Sequence, residues 1–502
     1  MNQRQDTDAL YGQYVAKMQK IADLRYAGAV LEWDQETYLP ARGAEIRARQ
    51  LATLASEVHE LFTAPAMGAL LEALDGRQEL MLPQQANVAR SLEDYRSQSK
   101  YPSSFVQELS MATSESYHAW MEARRKNDFS VFSPALSVMV DLKRRQAELL
   151  GYREHPYDAL VDEYEKGMTV AQLDVLFGEV RQSLKGLLDQ ILAKPAPDDS
   201  MLHGGYDRDK QWELGIALLK AMGFDFQAGR QDISEHPFTT NFNARDVRLT
   251  TRIDEDNLSD MTWSCIHEGG HGLYEQGLPF DQYGLPLGEA ASLAIHESQS
   301  RLWENNVGRG RAFWMRHYPG LQNRFPRLKD TGLQAFYHAI NKVSPSLVRT
   351  EADEVTYHFH VMIRYELEKK LLTGDLEVSG LADAWNELYH TYLGVTVPDD
   401  KSGVLQDVHW SHGSFGYFPT YSLGSFYAAQ FYAAATREIP DLAERIAGGD
   451  LASLLGWLRE HIHRYGREYY PGALCERVTG EPLNFRYFLD YARDKYGAIY
   501  GF

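Results

Sequence analysis

Along most of this chain apolar residues recur every three or four positions, the spacing of one helical face. From 207 to 222, Trp212, Ile216 and Leu219 keep that spacing and Gly223 supplies a stop; comparable patterns run over 8–30, 43–75, 104–126 and 424–438. One stretch differs. Between Pro237 and Asp254, Val247, Leu249 and Ile253 alternate with Asp246, Arg248, Thr250 and Arg252, which is strand periodicity and sets Asp246, Arg248 and Thr250 on one face. Lys194-Pro195-Ala196-Pro197-Asp198-Asp199-Ser200, continuing to Gly204-Gly205, reads as a loop, so a helical subdomain boundary is expected near 194–206. Pro398 to Gly403 reads as a second loop. The pattern predicts a mainly α protein, a large helical body with a small sheet beside one helix, in a single domain over 1–502.

The most informative of these helices is expected over about 259–276, opened by Asn257, Ser259 and Asp260 and closed by Gly277 and Pro279. It carries Cys-Ile-His-Glu-Gly-Gly-His at 265–271. Residues four apart share a helix face, so His267 and His271 can both reach one tetrahedral ion. Glu268 lies about 100° round the helix from His267, placed to serve as a general base toward the attacking water and not as a third ligand. Gly269 and Gly270 each cost the helix about 1 kcal/mol relative to alanine. Such a cost implies close packing there, by a substrate backbone or a neighbouring element. Cys265 reads as structural.

A catalytic zinc takes three protein ligands. A second helical pattern, about 288–305, offers three glutamates. Glu297, in His296-Glu297-Ser298-Gln299, is mid-helix and able to face an antiparallel partner, and it ranks first; Glu289, near the helix start, ranks second. Glu304, near the end, reads as solvated. His296 reads as a packing or supporting histidine.

Glu297 in its His-Glu-Ser-Gln setting after an HExxH helix resembles the thermostable-type zinc metallocarboxypeptidase family represented by enzymes of Thermus aquaticus and Pyrococcus. So do Asp246-Val247-Arg248-Leu249-Thr250, Val348-Arg349-Thr350-Glu351-Ala352-Asp353 and Gly403-Val404-Leu405-Gln406-Asp407-Val408-His409-Trp410. Leu31 to Pro40 is similar to the family's opening segment, so the resemblance spans about residues 10 to 502 in consistent order. It implies a zincin-like (HExxH gluzincin) body with a deep substrate groove, release of single C-terminal residues, and a homodimer. By analogy with related zinc peptidases, His409 and Tyr421 are the expected oxyanion donors. Arg349 and Arg248 are the expected contacts for the terminal carboxylate, since a planar guanidinium pairs with it through two hydrogen bonds. Each also has a structural alternative, an ion pair with Asp353 for Arg349 and with Asp246 for Arg248. In the family the strand motif and the His409 motif close one end of the groove.

Composition narrows the picture. A net charge of -19 with no basic run excludes a phosphate-binding surface, so nucleic acid is not an expected partner. Nowhere do 18 apolar residues run together and the first residues lack an apolar signal core, so no membrane segment is expected and the cytoplasm is. Cys265 and Cys475 are too few for a disulfide framework. The reading is a zinc metallocarboxypeptidase acting on peptides, with one ion per chain held by His267, His271 and Glu297, a set that suits cobalt as well. A zinc oligopeptidase cutting internally, or a helical scaffold without activity, would be the alternatives. An aminopeptidase would need an acidic amine-binding motif before the zinc helix, and none is present.

Overall fold

In the computed structural model, which describes residues 3–502, the chain is helical apart from one three-stranded sheet. It sorts into two compact units, each assembled from three separated stretches. Met1–Ser99, Asp198–Ile340 and Phe431–Pro482 make the first; Lys100–Pro197, Asn341–Gln430 and Leu483–Phe502 make the second. One crossing falls at Pro197, inside the loop expected there.

The first unit opens on a long helix, Gln3–Thr37, followed by Ala44–Thr63 and Pro65–Leu74. The unbroken helix expected over 43–75 is therefore two. Ala64 is held extended (φ -57, ψ 136) because the ring of Pro65 disfavours a helical residue before it. With the next helix, Leu82–Gln98, these helices share an apolar core that includes Tyr14, Ile21, Phe62, Leu71 and Val88.

The sheet follows, with strands β1 (Gly229–Ile233), β2 (Thr239–Asn243) and β3 (Asp246–Thr251) in the order β1-β3-β2. β3 runs parallel to β1 and antiparallel to β2. The alternating segment at 246–251 is thus the central strand with both its edges paired, and β1 and β2 are the outer strands. Strand β1, Gly-Arg-Gln-Asp-Ile, had no apolar alternation to announce it. Its Gly229 is required by closeness, since a β-carbon there would lie 2.3 Å from the Val247 carbonyl oxygen. Val247 and Leu249 are buried on one face. On the other, Arg248 lies 4.3 Å from the Trp33 ring of the first helix.

The second unit is built from Ser103–Lys126, Ser133–Leu150, Val170–Leu192, Tyr357–Thr373, Leu381–Leu393 and Arg486–Tyr500. Its interior is aromatic, with Tyr157, Tyr365, Trp385, Tyr389 and Phe418 all fully buried. Glu354 binds Lys495 (2.8 Å) and Tyr496 (3.0 Å), tying the C-terminal helix to the segment after Arg349. Among the described residues no helix is long and apolar enough to cross a membrane.

Candidate active site

The HExxH helix spans Leu258–Glu275, opened by Asn257, whose side chain accepts from the Ser259 N–H. It is buried along most of its length, and its glycines explain how. A β-carbon at Gly270 would sit 2.6 Å from Ser300 Cα and 2.7 Å from the Gln299 carbonyl oxygen. At Gly269 it would sit 2.6 Å from Leu219 Cδ2. Of the two occupants that the glycines allowed, both positions meet neighbouring helices. The close approach at Gly270 brings up the helix Leu293–Arg301, which carries Glu297.

Glu297 Oε2 then lies 3.4 Å from His271 Nε2 and 3.8 Å from His267 Nε2, and the three donor atoms fall within 4.8 Å of one another. Ligands at roughly 2.1 Å around a tetrahedral ion are about 3.4 Å apart, so the set fits one ion with little movement. The other oxygen, Oε1, accepts from Arg301 Nε at 2.7 Å, which turns Oε2 toward the imidazoles. Burial pushes the Glu297 carboxyl up, but Arg301 and the two histidines outweigh it and hold it well below the usual carboxylate range. Burial and His296 pull His271 down to about 3, leaving it in the neutral form that a metal requires. His267 moves the other way: burial lowers it, and Glu297 with Glu304 more than reverse that. Glu304 Oε2 lies 2.9 Å from His267 Nδ1, a bond that keeps the proton on Nδ1 and bares Nε2.

Glu304 is therefore not solvated, as its position near a helix end had suggested, but buried and tied to His267, Arg301 and Arg309. It follows Glu297 by seven residues, two turns, so it shares that face. It sits in a π-helical segment, Leu302–Gly308, a local widening that recurs at functional sites. Glu289 is not on the helix at all. The helix starts at Leu293 behind the Ser292 cap, and Glu289 is extended and paired with Arg25 (2.5 Å) and Arg467 (3.2 Å), away from the metal donors. His296 stacks on His271 with centroids 4.3 Å apart and hydrogen-bonds Glu275 at 2.8 Å.

Glu268 is buried beside the donors, and its Oε2 accepts from the Thr239 hydroxyl at 2.6 Å. Burial raises its pKa above the ordinary carboxylate value, a shift that His267 and Thr239 only partly reverse. A carboxylate so raised accepts a proton more readily than one in water. Cys265 is buried between Gln231 and Met261, its thiol pushed up to about 12 by burial, and it is inert.

The second unit gathers the remaining motifs. Asp407 accepts from Arg349 Nε at 2.9 Å on one oxygen and from Arg364 Nε at 2.7 Å on the other. Arg349 also donates to the Tyr357 hydroxyl (3.0 Å) and lies 4.7 Å from the Tyr421 ring. The ion pair expected with Asp353 is absent: Asp353 instead accepts from the Ser344, Val355 and Thr356 N–H groups. Gln406 accepts from the Arg349 N–H and donates to the Leu347 carbonyl, so the two motif segments are laced together. His409 Nε2 lies 3.0 Å from the Tyr421 hydroxyl. Burial, then Arg349, pull His409 down to about 3, so the ring is neutral. Arg248, in the first unit, is held by Asp246 through two contacts of 3.1 Å.

Comparison with known proteins agrees over the whole length. The profile of the carboxypeptidase Taq (M32) metallopeptidases matches residues 13–496. Thermostable carboxypeptidase 1 of Thermus thermophilus is 43% identical, with 98% of this chain and 99% of that protein covered. Carboxypeptidase 1 of Bacillus subtilis is 38% identical over 96% of this chain and 97% of its own. The crystal structure of the M32 carboxypeptidase from Deinococcus radiodurans R1 superposes with a TM-score of 0.96 at 42% identity, covering 98% of this chain and all of that one (100%). The donor cluster and these full-length matches agree, and the chain belongs to the carboxypeptidase Taq (M32) metallopeptidase family.

Proposed function

We propose that this metallocarboxypeptidase removes single residues from peptide C-termini using one zinc ion per chain, held by His267, His271 and Glu297, with Glu268 as general base. The convergence of those three donors within 4.8 Å, beside a buried carboxylate on the same helix, supports the reading most directly. When bound, zinc supplies Lewis acidity, lowering the pKa of water toward about 7 and polarising the scissile carbonyl. Glu268 takes the water's proton and returns it to the leaving amine. His409 and Tyr421 are the proposed oxyanion donors: a neutral imidazole and a phenol whose Nε2 and hydroxyl lie 3.0 Å apart, so that parting this contact would let the imidazole N–H and the phenol O–H turn to the oxyanion. Cobalt suits the donor set equally. Two buried cysteines that form no disulfide fit a reducing compartment and with it the cytoplasm, and the family resemblance is what supports a homodimer.

The ligand set has a direct test. Elemental analysis is expected to find about one divalent ion per chain, and His271→Ala or Glu297→Ala to lose most of it. Retention of full metal by Glu297→Ala, with loss by Glu289→Ala, would overturn the third ligand.

Carboxylate recognition is assigned to Arg349 in the first place. Its guanidinium has five N–H donors, and Asp407 with Tyr357 occupies three of them, so it can still grip a substrate carboxylate. Arg248 is the second proposed contact, and its fixed pairing with Asp246 makes it the weaker one. Charge-assisted hydrogen bonds contribute roughly 1.5–3 kcal/mol each. A C-terminally amidated peptide is therefore expected to be cut at least about tenfold more slowly than its free acid, and Arg349→Ala to shrink that ratio with the metal retained. Lysine at 349 should restore the ratio only in part, because a point charge lacks the fork. Equal rates for the two peptides in the parent enzyme would contradict carboxylate recognition.

A further inference from the structure

The edge strand β2 presents alternate side chains to the acidic face of the HExxH helix. Thr239 and Asn241 are two apart and share a sheet face. Glu268 and Glu275 are seven apart and share a helix face. They meet pairwise, the Thr239 hydroxyl with Glu268 Oε2 at 2.6 Å and the Asn241 amide with Glu275 Oε2. Thr239 Oγ1 also lies 3.2 Å from the Glu268 carbonyl oxygen, but its single proton serves the shorter contact, to the carboxylate. Among the described residues Glu268 Oε1 makes no hydrogen bond, so one oxygen is fixed by the protein and the other is left for a reacting water.

The register that delivers Thr239 is itself set by the strand motif. Thr250, fully buried on β3, donates its N–H to the Phe238 carbonyl at 2.9 Å, while its Oγ1 accepts from the Phe238 N–H at 2.9 Å and from Ser234 at 2.7 Å. Phe238 is thereby clamped on both sides of its backbone, one residue before Thr239. Slippage of β2 by one residue would turn Thr239 away from the helix.

The geometry points to Thr239 as the positioning residue of the general base: its hydroxyl holds the Glu268 carboxylate in the orientation that leaves Oε1 facing the water. This rests on the assignment of Glu268 as base. Asn241 on Glu275 keeps β2 seated when the Thr239 hydroxyl is removed, so a change there acts on the base and not on the fold.

The test compares Thr239→Val, Thr239→Ser and Glu268→Gln on a blocked dipeptide with a free carboxylate, with kcat, KM and metal content measured for each. Misplacement of a reacting group by about 1 Å can cost a factor of about 10². Thr239→Val is expected to lower kcat by about tenfold to a hundredfold, with KM within about threefold of the parent and one metal ion per chain, and Thr239→Ser to restore kcat to within about threefold. In the Glu268→Gln background, adding Thr239→Val should cost less than about threefold more, since both changes remove the same action. A Thr239→Val enzyme with parental kcat, serine that fails to restore it, or an equal loss in both backgrounds overturns this role while leaving Glu268 as base. A fully active Glu268→Gln enzyme overturns both assignments. If Thr239→Val loses its metal, Thr239→Ala carries the same comparison.

Discussion

Glu268→Gln is expected to lower turnover by about 10²–10⁴ while keeping about one metal ion per chain, because loss of a general base alone costs that much. The substitution is close to isosteric, and the glutamine carbonyl can still accept from Thr239, so the local packing survives. What it cannot do is take a proton from water. A second readout separates chemistry from folding. Burial raises the Glu268 pKa above its unfolded value, so at neutral pH the native state holds an ionised carboxylate at a cost that the unfolded chain avoids. The amide removes that cost. Glu268→Gln should unfold at the parental temperature or above it, even as activity collapses. A variant keeping more than about a tenth of the parental kcat, or one that loses its metal, would contradict the assignment.

The part of this centre legible in the sequence is the part built by helical spacing. His267 and His271 share a face by number alone, and Glu297 was identifiable as mid-helix. Glu304 is the exception: its position near a helix end suggests solvent, whereas a π-helical stretch extends the element past it into the interior. Two turns from Glu297 was the signal available. Thr239 and Asn241 were invisible for another reason: Thr-Thr-Asn-Phe-Asn has little apolar alternation, and what its side chains do depends on the strand lying beside the helix. The same holds for β1 and for the central place of β3, since sheet order is not written in any one strand. Motif content without partners is the general limit. Asp407 stood in a recognised segment, yet nothing local to it announces Arg349 and Arg364, 58 and 43 residues away.

Asp407→Asn is expected to be the most damaging single change in the second unit. Arg349 and Arg364 are both buried, and each directs its Nε to a different oxygen of this carboxylate. Burial alone would push Asp407 up, but the two guanidinium groups hold it well below the usual carboxylate range. Asparagine offers one neutral acceptor in place of two charged ones and leaves both cations uncompensated in an apolar, aromatic surrounding. Removing one partner from a buried ion pair typically costs about 3–5 kcal/mol. The sign of the pH dependence follows from the depressed native pKa. The stabilisation is fully present above the unfolded value, near 3.9, and is lost as pH falls through the native one. The gap between parent and variant should therefore be widest at neutral pH and narrow in acid. Function should fail with it, because Asp407 fixes the Arg349 guanidinium and lies two residues before His409. Free-acid preference in the peptide assay should drop along with kcat, at unchanged metal content. Denaturant unfolding at pH 7 and at about pH 3, inside the window between the unfolded and native pKa values, measures the first claim: a loss below about 1 kcal/mol at pH 7, or a gap that widens in acid, would mean the two arginines are satisfied by something other than Asp407.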